Sequence, residues 1–131
     1  MRLVVDASAL AAWLMPDEPG QALETPLAEA GSLHAPGLLW AELRNILLMG
    51  ERRGRLPEGL ADEMAAAVDA MAVELDHAPD GAAVMALART HGLTIYDALY
   101  LELALRLGAR LLTRDRALQA AALAENALFD L

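Results

Sequence analysis

The chain has no cysteine and no lysine, and aromatic residues make up only 4% of it. Without cysteine it can form neither disulfides nor thiolate metal sites, which suits a reducing cytosol. Without lysine, all ten of its basic residues are arginine. No apolar run is long enough to span a bilayer. The opening Met1-Arg2-Leu3-Val4-Val5-Asp6 carries charge too early for a signal peptide. The expected location is therefore cytoplasmic, with no membrane partner. Positive charge is scarce overall, and the net charge of −9 argues against simple electrostatic binding of nucleic acid. A nucleic-acid substrate would have to be held locally, or through a metal ion.

What is present is a chain of 131 residues that is 56% hydrophobic, rich in Ala, Leu and Val. That length suits one domain, residues 1–131, with a sizeable core. Arg2–Val5 is short, continuous and β-branched, as a buried strand should be. Ser8 is placed to cap a helix over Ala9–Met15, stopped before Pro16. Asp17-Glu18-Pro19-Gly20 reads as a turn or as the start of a second helix running towards Ala30, with a kink or a break at Pro26. Ser32–Ala35 is a short strand candidate. Pro36 is expected to open a long helix through Leu39, Leu43, Ile46 and Leu47, and Pro57 another reaching about Met71. Val73–Leu75 is a weak strand candidate. Asp80 caps a helix closed by Gly92, and Thr94–Leu107 is the clearest helix, closed by Gly108. Ala109–Thr113 is a buried strand, Asp115 starts a helix to about Ala124, and Leu128–Leu131 is a final strand candidate. Strands alternating with helices predict an α/β fold, a parallel sheet covered by helices on both faces.

Four carboxylates fall where one element gives way to the next: Asp6, Glu42, Asp97 and Asp115. An acid in an apolar setting is costly unless something compensates it. Four of them suggest a shared compensator, and a hard divalent cation such as Mg²⁺ or Mn²⁺ takes carboxylate oxygens. Asp6 and Asp115 each follow the carboxyl end of a predicted parallel strand, where open α/β sheets bind ligands. Each acid also has a purely structural explanation. Asp115 is a favoured N-cap, Thr94 and Asp97 have capping-box spacing, Glu42 can pair with Arg44, and Asp6 can hold a turn. The apolar helix that Asp97 opens leaves mainly the Glu102 and Arg106 side for solvent, which directs its acidic first turn into a cleft. His34, His77 and His91 lack metal-ligand spacing and read as loop or helix-end residues.

Val4-Val5-Asp6-Ala7-Ser8, Glu42-Leu43-Arg44-Asn45, Tyr96-Asp97-Ala98-Leu99-Tyr100 and Leu112-Thr113-Arg114-Asp115-Arg116 together resemble the signature of PIN domains, most closely the VapC-type toxins of toxin–antitoxin pairs. Each motif alone is weak; the four in order span essentially the whole chain. The resemblance implies a three-layer α/β/α sandwich with a central parallel sheet of four to five strands. It implies a Mg²⁺- or Mn²⁺-dependent endoribonuclease with an RNA substrate, a cognate antitoxin and a homodimeric state. It carries the metal-binding acids over to Asp6, Glu42, Asp97 and Asp115, and supporting polar roles to Ser8 and Thr113. An RNA-processing or DNA-directed nuclease of the same fold, or a catalytically silent interaction module, are the alternatives. A receiver-type signalling domain would need a phosphoryl-contacting lysine. A dehalogenase-type phosphatase would also want a second Asp at position 8, where this chain has Ser.

Overall fold

A computed structural model describes residues 1–16 and 21–130. The chain runs β1 (Arg2–Val5), α1 (Ala7–Leu14), a 3₁₀ turn (Gln21–Leu23), α2 (Glu24–Glu29), β2 (Ser32–Pro36), α3 (Leu39–Arg52), α4 (Leu60–Ala70), β3 (Glu74–Asp76), α5 (Gly81–His91), α6 (Ile95–Leu107), β4 (Arg110–Leu112) and α7 (Arg116–Ala124). The four strands form one parallel sheet in the order β3-β2-β1-β4. Beyond β4, Leu128 makes a single parallel bridge to Leu111. No helix of the described residues is long and apolar enough to cross a membrane.

This order places the site. From β1 the chain steps to β2 and then β3; from β3 it returns across the sheet to β4, on the far side of β1. Parallel crossovers are right-handed, so helices of opposite progression lie on opposite faces, giving three layers. The direction of winding reverses between β1 and β4, and open α/β sheets bind ligands at the carboxyl ends of the strands at such a reversal. Leu3, Val4 and Val5 in β1 and Leu111 and Leu112 in β4 are fully buried, which explains their unbroken apolar character. α6 spans the sheet, touching β1, β2 and β4, with Tyr100, Leu101, Leu103 and Ala104 buried. Full burial of one such Leu contributes roughly 1.5–3 kcal/mol.

Several boundaries differ from the sequence expectation. The cap of α1 is Asp6 rather than Ser8, because the Asp6 carboxylate accepts the Ala9 amide and the helix starts two residues earlier. Pro36 ends β2 instead of opening α3; as the last strand residue it gives up no ladder bond that the sheet needs. Pro57 sits in a turn closed by the Leu60 amide, and α4 begins at Leu60 after Gly59 at φ 89°. The segment is two short pieces, but they divide between Leu23 and Glu24 rather than at Pro26, which lies in the first turn of α2 where its missing N–H costs nothing. The last strand shrinks to the bridge at Leu128 after a turn at Asn126, whose φ is 56°. The turn expected at Asp17–Gly20 lies outside the described residues, as does Leu131.

Two side-chain expectations also change. His34 is a buried strand residue of β2, with its ring between the Ser32 hydroxyl (2.7 Å) and the Glu74 carboxylate (3.2 Å). Glu102, expected to face solvent, is 3% exposed. Arg106 holds it at 2.8 Å and reaches Asp76 at 2.7 Å, while the Asp80 amide donates to Glu102 at 3.2 Å. A buried carboxylate stripped of such a partner costs about 3–5 kcal/mol. The cluster ties α6 to the end of β3 and to the cap of α5.

Candidate active site

Asp6 follows the last residue of β1, so its side chain stands at the carboxyl edge of the sheet, 5% exposed. Three neutral donors serve it. The Ala9 amide (2.9 Å) and the Ser8 hydroxyl (2.7 Å) reach Oδ1, and the Thr113 hydroxyl donates to Oδ2. The same Thr113 hydroxyl accepts the Asp115 amide at 3.0 Å, and Ser8 Oγ accepts the Arg114 amide at 2.9 Å. The loop after β4 is thus fastened to Asp6 through two hydroxyls. Asp115 caps α7 by accepting the Leu118 amide at 2.9 Å and remains exposed.

Asp97 occupies the first turn of α6 beside its cap, Thr94, whose hydroxyl accepts the Asp97 amide at 3.1 Å. Glu42 lies in the first turn of α3 and accepts a 2.7 Å hydrogen bond from the Tyr100 hydroxyl. Glu42 does not pair with Arg44, which turns to Asp69 (2.8 Å) and lies 4.1 Å over the Trp40 ring. Tyr100 is the residue that sequence reasoning missed. It is three positions after Asp97, hence on the same face of α6, and that spacing was the available signal.

The acids sense one another. Burial pushes the Asp6 carboxyl above its ordinary value against the pull of Thr113, Ala9 and Ser8, and the Asp97 charge adds to the rise. Burial raises Glu42 too, with Tyr100 opposing and Asp6 and Asp97 reinforcing. Asp97 is raised by burial and then by Asp115, with Thr94 opposing. The Tyr100 hydroxyl is held protonated far above its usual range by burial and by Glu42. The structure thus brings all four sequence-predicted acids into one electrostatic group, with Ser8 and Thr113 in direct contact with Asp6. Among the described residues, no three His, Asp or Glu side chains converge at ready-made metal-cage spacing. The fit to a divalent cation rests on the donors themselves: hard oxygens, partly desolvated, mutually repelling, and shifted by burial, neutral donors and one another.

Electrostatically coupled acids at the winding reversal of a parallel sheet are consistent with one class of protein. The PIN-domain family model matches residues 3–123, and the chain belongs to that family. It is 40% identical over 127 residues to Ribonuclease VapC3 of Pyrobaculum aerophilum, covering 90% of this chain and 92% of that protein. Among solved structures it is similar to PAE2754 of the same organism, with a TM-score of 0.78 and 28% identity over 99% of this chain and 89% of that one. The fold also matches VapC20 of Mycobacterium tuberculosis, a toxin that cleaves the sarcin–ricin loop. There the TM-score is 0.66 at 17% identity, over 91% of this chain and 94% of that one.

The raised carboxyls generate a stability prediction. An acid whose folded value lies above its unfolded value binds more protons in the native state, so stability falls as pH rises between the two. In the metal-free protein, Asp97→Asn should raise the melting temperature at pH 7. The gain should shrink as pH falls through the raised native value of Asp97 and vanish below the ordinary carboxylate range, where both states are protonated. A melting series against pH checks this; an unchanged or lower melting temperature at pH 7 would contradict the repulsion.

Proposed function

We propose that this chain is a Mg²⁺- or Mn²⁺-dependent endoribonuclease acting as the toxin of a toxin–antitoxin pair. The observation that carries the proposal is the set of mutually repelling, partly desolvated carboxylates at the sheet's winding reversal. The 40% identity to a protein named as a ribonuclease supports the choice of substrate. Asp6, Glu42 and Asp97 would hold the first cation, and Asp115, the most exposed of the four, would act through water or on a second one. A bound cation would supply a water of lowered pKa and relieve charge on the scissile phosphate. The protein's own part is orientation. Ser8 and Thr113 fix both oxygens of Asp6, and Tyr100 restrains Glu42 from the helix that carries Asp97.

Capping and metal binding are separable. Asn caps a helix about as well as Asp, so Asp6→Asn, Asp97→Asn and Asp115→Asn should keep their helices. All three, and Glu42→Gln, should lose metal-dependent RNA cleavage by orders of magnitude. Added Mn²⁺ should stabilise the native protein by roughly 2.7 kcal/mol at a hundredfold excess over its dissociation constant, and the variants by less. Four variants with native cleavage rates and native metal response would refute the site.

The proposal extends to partners: a homodimer, and an antitoxin whose arginine enters the acid crevice in place of metal. A bidentate guanidinium suits a carboxylate cluster. Binding of the antitoxin should therefore weaken Mn²⁺ affinity, measured by calorimetry on the free protein and on the complex. Equal Mn²⁺ affinity in both would sink that mode of inhibition. Light scattering showing a monomer at micromolar concentrations would count against the dimer.

A further inference from the structure

Beside Thr113, a cavity opens between α7 and the chain's last described residues. Its volume is about 450 Å³, and its lining includes Thr113, Arg116, Gln119, Leu123, Leu128 and Phe129. Two backbone hydrogen bonds seat this tail against the outer edge of β4, Leu111 N to Ala127 O (2.7 Å) and Phe129 N to Leu111 O (2.9 Å). Because the Leu128 bridge is parallel, residues 129 and 130 continue towards the carboxyl end of the sheet, the same edge that holds Asp6. Thr113 is the shared wall: its hydroxyl donates to Asp6, and its residue lines the cavity.

The walls are apolar, amide and cationic, with the exposed Asp130 carboxylate a fourth kind that Arg116 must outweigh for an anion to bind. Phe129, the chain's one phenylalanine, and Leu128 offer a flat apolar surface, joined by Leu123, which is 68% exposed. The Gln119 amide donates one hydrogen to the Thr113 carbonyl at 2.9 Å, which fixes its orientation and leaves its oxygen and second hydrogen for a ligand. Arg116, at the start of α7, is exposed and makes no hydrogen bond or ion pair among the described residues. By contrast, Arg44 is committed to Asp69, Arg106 to Asp76 and Glu102, and Arg110 to the Asn126 carbonyl. In a chain of net charge −9, an uncommitted guanidinium next to a carboxylate crevice is a local means of holding a polyanion.

We propose that this cavity is a nucleotide subsite, taking the base next to the scissile phosphate of a single-stranded RNA. Phe129 stacks on the base, Gln119 reads its edge, and Arg116 holds the adjoining phosphate. Aromatic stacking with an oriented amide at the base edge is the usual chemistry of single-strand RNA recognition. The inference rests on the nuclease reading above and adds to it a determinant of cleavage position.

The test uses the full chain with Mn²⁺ and a randomised single-stranded RNA pool, with the cleaved ends sequenced. The native protein should favour certain bases at one position beside the cut, and Phe129→Ala and Gln119→Ala should flatten that preference. Arg116→Ala should raise KM about tenfold with kcat unchanged, a size in keeping with one lost nucleotide contact. Arg116 is exposed, so Arg116→Ala should melt with the native protein even if Phe129→Ala, or Gln119→Ala with its lost hydrogen bond to Thr113, does not. A native base preference and native KM in Gln119→Ala and Arg116→Ala, with Asp97→Asn inactive, would overturn the subsite and leave the nuclease standing. Native cleavage by these variants together with escape from inhibition by a co-expressed antitoxin would assign the cavity to a protein segment and overturn it equally. Failure of the native protein to cut any RNA would remove the nuclease reading, and the subsite with it.

Discussion

Asp6 directly follows the buried Leu3, Val4 and Val5 of β1 with a carboxylate that has left water, and the surrounding structure is organised by the need to hold it there. Its donors are all neutral: one amide and two hydroxyls. They place both oxygens without cancelling the charge. A paired arginine would have been the cheaper solution for stability, as the Asp76, Glu102 and Arg106 cluster at the end of β3 demonstrates. There the guanidinium lies between two carboxylates, and Asp76 is held below the usual carboxylate range. The protein thus contains one acid cluster that is internally compensated and another whose members push one another's carboxyls upward. That contrast is the physical basis for assigning function to the second.

The fold supplies each acid by a different route. Asp6 comes from a strand end and Asp115 from the cap of the helix after β4, both fixed by the parallel register of β1 and β4. Asp97 and Glu42 come from the first turns of helices, where the backbone dipole favours negative charge. Tyr100 links these two helices through Glu42 and is itself a buried residue of the sheet-spanning α6. Core packing and site geometry are therefore coupled through one side chain, whose hydroxyl is the polar tip of a buried aromatic.

Much of this was legible in the sequence because local chemistry and global fold agree. The strand at Arg2–Val5, the helix from Thr94 to Gly108 and the caps at Asp80 and Asp115 each carry their own start or stop signal, and each appears in the structure. The misread positions are those decided by tertiary contacts. Pro36 and Pro57 are equally good as first helical residues or as the ends of other elements, and neighbouring strands and turns choose the latter. Glu102 reads as solvent-facing until Arg106 and the Asp80 amide are seen to enclose it. His34 reads as a loop residue because nothing in the sequence places Glu74 beside it in register. The four acids were found from their positions at element boundaries. Tyr100 shares a helix face with Asp97, but its hydrogen bond to Glu42, 58 residues away, is decided by tertiary packing.

The central claim is that the crevice acids exist to bind a cation, and the most direct measurement locates that cation. Crystals soaked in Mn²⁺ and recorded with anomalous scattering should show manganese enclosed by Asp6, Glu42 and Asp97, with those three side chains drawn together around it. Manganese bound elsewhere, with these carboxylates unmoved and the crevice holding none, would contradict the account.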